Sequence, residues 1–175
     1  EFNEKFRGVS RMECLDLLLE ANGREVTPEE RKELADRKNN YYQEYLESIS
    51  SENLLEGIEE ILQRVKEAGY KMAIASASKN TKIVIDKLNI EDMFDTISDG
   101  YSVKNSKPAP DLFLHTAEKM ELKPKECVVF EDAKAGIDAA LAANMTAVGI
   151  GPEKRVGHAH YRFDTVKDID LDQIL

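Results

Sequence analysis

Hydrophobic positions in this chain change period once, near residue 50. Before that point they recur at helical spacing. Met12, Leu15, Leu18 and Leu19 share one face of a segment over 11–20. Thr27-Pro28-Glu29-Glu30 starts a second helix: Thr27 caps it, Pro28 suits its first turn, and Glu30 completes a capping box. That helix runs through Tyr41, Tyr42 and Tyr45 to about 49, where Ser50-Ser51-Glu52-Asn53 breaks it. Beyond Gly57 one more helical stripe, Ile58, Ile61, Leu62 and Val65, ends at Gly69. Short apolar runs then alternate with helices. Strands are predicted over 71–75, 94–98, 127–130 and 146–150, and helices over 79–88, 110–120 and 133–143. Such alternation predicts an α/β fold, a doubly wound parallel (Rossmann-like) sheet with right-handed crossovers. Tyr161-Arg162-Phe163 reads as an edge strand, and 171–175 as the start of a last helix. The pattern divides the chain into a small α-helical cap, 1–52, and an α/β core, 53–175.

The chemistry gathers at predicted strand ends, where ligands bind in open α/β sheets. Val128-Val129-Phe130 runs into Glu131-Asp132, then an Ala/Gly-rich helix. Two adjacent acids at a strand tip suit a hard cation such as Mg²⁺, so Glu131 and Asp132 are candidate metal ligands. Asp132 could equally cap the helix. A second run, Met72 to Ala75, ends in Ser76-Ala77-Ser78-Lys79-Asn80. Ser76 and the N–H of Ala77 could stabilise a phosphate oxygen, and Ser76 could equally be just a small residue at a strand end. Ser78, Lys79 and Asn80 at a helix start suit a second phosphate or sugar hydroxyls, with a plain capping role open for Ser78. Lys107 lies in the rigid loop Ser106-Lys107-Pro108-Ala109-Pro110-Asp111 and is either a phosphate partner or a solvated lysine. His115, His158 and His160 have no metal-ligand spacing.

Composition narrows the partners. The 175 residues carry a formal net charge of −10. A diffuse acidic surface disfavours nucleic acid and anionic membranes, so a bound phosphate needs cations concentrated in one site. Cys14 and Cys127 lie far apart and read as reduced thiols of a cytoplasmic protein. No apolar run reaches membrane-spanning length, and there is no charged-then-apolar leader.

Hydroxyl, lysine and acid pair, in that order, resemble the later motifs of the haloacid dehalogenase superfamily of phosphotransferases. Gly8-Val9-Ser10-Arg11, Arg37-Lys38-Asn39, Ala75-Ser76-Ala77-Ser78-Lys79-Asn80 and Ser106-Lys107-Pro108-Ala109-Pro110-Asp111 are similar to its branch of β-phosphoglucomutases and sugar-phosphate phosphatases. The resemblance implies a Mg²⁺-dependent mutase that interconverts β-glucose 1-phosphate and β-glucose 6-phosphate through a bisphosphate and an aspartyl-phosphate. It implies catalytic roles for Ser76 and Lys107, and a metal site at Asp132 with Glu131 as ligand or supporting acid. It implies that Arg11 holds the distal phosphate, that Gly8, Val9 and Ser10 bring backbone to the sugar, and that Lys38 reaches the sugar hydroxyls. Arg11 and Lys38 read alone are also ordinary helix charges. The implied partner is a small-molecule sugar phosphate, the implied state a monomer when intact.

One motif of the superfamily is missing: an apolar strand ending in Asp-x-Asp-Gly. The chain starts at Glu1-Phe2-Asn3-Glu4, which resembles a point already inside the cap, and Asp168-Ile169-Asp170 reads as a polar turn. The core is therefore expected to lack its first strand and nucleophile, and this chain alone to be inactive. A phosphatase of the same superfamily and a non-catalytic, receiver-like phosphate-binding module are the other readings.

Overall fold

The computed structural model describes residues 6–175; the opening Glu1-Phe2-Asn3-Glu4 lies outside the described residues. Twelve helices and strands follow one another as α1 (Arg11–Ala21), α2 (Pro28–Leu46), α3 (Ile58–Glu67), β1 (Ala73–Ala75), α4 (Thr81–Leu88), β2 (Thr96–Ser98), α5 (Asp111–Lys119), β3 (Val128–Glu131), α6 (Lys134–Ala142), β4 (Thr146–Ile150), α7 (Glu153–Val156) and β5 (Tyr161–Phe163).

Local chemistry explains the helix starts. Thr27 Oγ1 accepts from the Glu30 N–H at 3.2 Å, while Glu30 accepts from the Thr27 N–H at 2.8 Å. The Thr27 N–H, and after it the Thr27 hydroxyl, hold the Glu30 carboxyl below its ordinary pKa. Ser10 and Glu13 make the same reciprocal pair at the head of α1. The helices α1 and α2 pack on each other, with Leu15 of one and Ala35 of the other buried. Arg31 braces them with a two-pronged bond to Asp16 at 2.7 and 2.6 Å.

The strands are all parallel but form two sheets. One pairs β1 with β2, and the other runs β3-β4-β5. Both faces are covered, as the alternating sequence implies. Ala147 of β4 joins a core with Phe113 and Ala117 of α5 and Ile137, Ala139 and Ala140 of α6. Ile150, on the opposite side of the pleat, packs with Ile58, Ile61 and Val65 of α3 and the buried tail residues Val166, Ile169 and Leu171. Ala139 and Ala140 of α6 are fully buried, so small side chains on that face let the helix lie close on β3 and β4.

The elements differ from expectation mainly at their ends. Helix α2 stops at Leu46, whose side chain is buried, rather than near 49. Helix α4 starts at Thr81, because serine turns occupy the residues before it. Strand β3 includes Glu131. The expected last helix is only a 3₁₀ turn, Leu171–Gln173, capped by the Asp170 side chain. Asp168 and Asp170 thus lie in a polar tail, as read from the sequence. No helix of the described residues is long and apolar enough to cross a membrane.

Candidate active site

The strand ends meet at Lys107. Its peptide to Pro108 is cis, and only 4% of the residue is exposed. The Nζ donates to the Ala75 carbonyl at the tip of β1 at 3.0 Å and to the Glu131 carboxylate at the tip of β3. It also lies 4.5 Å from the ring centroid of Phe113. One ammonium group therefore ties together the neighbouring ends of two separate sheets. An ammonium this buried needs such partners, because leaving either charge alone in the interior is costly.

Glu131 is held from a second side. A Cβ on Gly136 would stand 2.1–2.5 Å from the Glu131 carboxyl atoms, so the carboxylate occupies the space a side chain would take. Gly136 lies in the first turn of α6, where helix N–H groups favour a negative charge. Asp132 behaves differently. Its side chain is 58% exposed, and its Oδ2 accepts from Arg7 at 3.2 Å. It does not cap α6, whose N-cap residue is Ala133, with no side-chain capping bond. Gly8 sits close by: with φ at +76°, a Cβ there would meet the Ala133 Cβ at 2.7 Å.

Ser76 follows β1 directly, and its Oγ accepts from the Ser78 N–H at 3.2 Å. The Ser78 Oγ accepts in turn from the Asn80 N–H at 3.1 Å. Both hydroxyls accept in these bonds, and each keeps a proton that an anion could take. Gly100 locks this loop against the one after β2: its N–H donates to the Ser78 carbonyl at 3.0 Å, and a Cβ there would lie 2.5 Å from the Ala77 oxygen. The Lys79 ammonium rests over the Tyr101 ring, 4.7 Å from its centroid.

A cavity of about 1180 Å³ opens between the helical pair α1/α2 and these loops. Val9, Ser10, Arg11 and Lys38 line it from one side, and Ala77, Ser78, Lys79 and Asn80 from the other. The structure thus sorts the predicted residues into two groups. Those eight share the cavity, whereas Gly8, Ser76, Lys107, Glu131 and Asp132 lie at the sheet ends outside its lining. Six basic residues line it (Arg11, Arg31, Lys32, Lys38, Lys79 and Lys104) against three acids, Glu13, Asp36 and Asp99, although the chain as a whole carries −10. Among those acids Asp36 is held below its ordinary pKa chiefly by Lys32 beside it, with Arg11 adding to the effect. Burial, and then Tyr45, push the Tyr42 hydroxyl up.

As a test for Mg²⁺, the donors fit in part. Asp132 offers an exposed carboxylate at a strand tip, whereas Glu131 is committed to Lys107. Among the described residues no three acidic, histidine or cysteine side chains gather into a metal site.

The sequence reading named neither a role for Gly136 nor the pairings of Lys107 and Asp132. Ser10, expected to bring backbone to the sugar, lines the cavity and also heads α1 in a capping box that Ser10-Arg11-Met12-Glu13 spells out. Gly136 has no local signal beyond its place in an Ala/Gly-rich helix. The Arg7–Asp132 and Lys107–Glu131 pairs are separated by 125 and 24 positions, and no local pattern announces them.

This fold and loop arrangement place the protein in a known class. The haloacid dehalogenase-like hydrolase family model matches residues 4–150, and the chain belongs to that family. It is 39% identical over 153 residues to a β-phosphoglucomutase of Bacillus subtilis, covering 86% of this chain and 68% of that protein. It is 30% identical over 151 residues to a phosphorylated carbohydrates phosphatase of Thermotoga maritima, covering 85% of this chain and 67% of that protein. Among solved structures, a β-phosphoglucomutase from Clostridium difficile superposes with a TM-score of 0.93 at 40% identity, covering 99% of this chain and 78% of that one. The family and the doubly wound fold read from the sequence are both borne out.

Proposed function

We propose that the protein is a Mg²⁺-dependent phosphosugar mutase acting on β-glucose 1-phosphate and β-glucose 6-phosphate, a cytoplasmic monomer with the helical pair as its cap. The observation that carries this reading is the buried Lys107 at the junction of two strand ends, beside a cavity rich in cations. The likeness to the Bacillus and Clostridium mutases supports the choice of reaction.

In this reading the reacting phosphate sits at the sheet ends. Lys107 balances its charge, and Ser76 Oγ–H with the Ala77 N–H hold its oxygens as charge develops. Arg11 forks onto the distal phosphate across the cavity. Lys38 takes the sugar hydroxyls, and Ser78, Lys79 and Asn80 close the other wall. Val9 and Ser10 border the sugar, while Gly8 lets their segment lie on Ala133. Asp132 would be one carboxylate ligand of Mg²⁺, with Glu131 acting through Lys107. When bound, the metal neutralises phosphate charge. The acceptor aspartate belongs to a strand that the described residues do not supply. We place it between β1 and β3, whose tips Lys107 spans.

Phosphorus NMR on a protein carrying that aspartate, with β-glucose 1-phosphate and Mg²⁺, tests the proposal. Accumulating 6-phosphate is the expected result. Inorganic phosphate as the main product makes it a phosphatase, as the Thermotoga relative's name suggests. Lys107→Ala and Asp132→Asn should each lower turnover by about 10²-fold or more, the scale of losing one preorganised charge-stabilising group. Near-normal activity in either variant would sink the assignment.

A further inference from the structure

The helical pair is joined to the rest of the molecule by surprisingly little polar structure. Among the described residues, one side-chain hydrogen bond links the helices α1 and α2 themselves to the α/β part, while the Arg7–Asp132 ion pair ties down the chain connection ahead of α1. That hydrogen bond runs from Asn80 Nδ2 to Asn39 Oδ1 at 2.9 Å, across 41 positions of sequence. Asn80 is only 7% exposed and forms the N-cap of α4, its own N–H tied to Ser78 Oγ. Asn39 follows Lys38 on α2, and all three residues line the cavity.

We propose that Asn39 and Asn80 form a latch that sets the orientation of the helical pair over the cavity, making both positioning residues for the reaction. The positioning role rests on the function proposed above; the latch itself does not. The physical argument is one of leverage. Arg31–Asp16 and the packing of Leu15 and Ala35 make α1 and α2 one stiff unit. A stiff unit hinged on its two chain connections turns as a body, so one bond at its inner face restrains the whole of it. Arg11 and Lys38 ride on that unit, whereas Ser78 and Lys79 stay with the sheet. The distance between the two walls of the cavity therefore follows the latch. A neutral amide pair suits this place, because it makes the bond without putting a formal charge on either wall of an anion site.

Residual dipolar couplings on the ¹⁵N-labelled chain, without ligand, test the latch directly. In the wild type, α1/α2 and the strands should fit one alignment tensor. In Asn39→Ala and in Asn80→Ala the fit to one tensor should be lost, with the double variant no worse than either single one. Asn39→Asp and Asn80→Asp should each keep the single tensor at neutral pH, because an amide facing a carboxylate still makes the bond. The pair of aspartates together should lose it by repulsion. A single tensor retained in both alanine variants overturns the proposal, and so does its loss in both single aspartate variants. Titration with glucose 6-phosphate adds the functional arm: Asn39→Ala should bind about fivefold more weakly, the worth of one neutral hydrogen bond. If the wild type does not bind the sugar phosphate at all, the functional reading fails while the couplings still decide the latch.

Discussion

Lys107 and Glu131 are worth more as a pair than either side chain is alone. Both are largely buried, with side chains 5% and 10% exposed. Removing only the lysine strands a carboxylate in the interior, so Lys107→Ala should destabilise the fold by about 3–5 kcal/mol. Replacing both partners with Lys107→Met and Glu131→Gln should recover much of that loss, measured by urea unfolding. Gly136→Ala attacks the same pair from the other side. Its methyl would overlap the Glu131 carboxyl group, and a cost of about 1–3 kcal/mol is expected from overpacking. A third residue-scale prediction concerns acid. The Arg31 hydrogen bond holds Asp16 below its ordinary pKa of 3.8, outweighing the opposing effect of burial. A carboxyl whose pKa falls on folding stabilises the protein above its unfolded value and loses that contribution as the pH drops through the folded one. Asp16→Asn should therefore lower stability near neutrality by at most about 1 kcal/mol, as for other exposed pairs. The variant and wild-type curves should converge below pH 3.8.

Helix α2 carries its stability at its ends. Its 19 residues have few buried side chains, Ala35 and Leu46 among them, so the capping box matters more than in a helix with a broad apolar face. Thr27→Ala should cost about 1 kcal/mol and fray the first turn, visible as faster amide exchange at Glu29 and Glu30. This start was legible in four consecutive residues, because a cap and its partner are local. The start of α4 was not. Ser76 and Ser78 divert the backbone into turns that use their own hydroxyls, and a count of apolar spacing cannot see that competition. The tail failed for a related reason. Leu171 is buried against α3, yet the segment is too short to continue as an α-helix.

The molecule as a whole is acidic, but its cavity is not, and the contrast should be measurable. Affinity for glucose 6-phosphate should fall as salt is raised, since part of the attraction is between exposed charges. Arg11→Ala should weaken binding of a bisphosphate more than of a monophosphate and flatten its salt dependence. The net charge should keep the protein from binding heparin or DNA at any salt.

Pattern and composition alone settled the order of helices and strands, the two-sided burial of the sheet and the motif residues at the strand ends. These depend on period, local capping and residue type, which are written in neighbouring positions. Tertiary structure alone decided that Lys107 joins β1 to β3, that Glu131 serves the lysine while Asp132 stays open to solvent, and that Asn39 meets Asn80. Each of those contacts joins residues far apart in sequence. They form because chain closure brings two strand tips, or a helix and a loop, to one place, where burial makes an unpaired charge or amide too costly to leave.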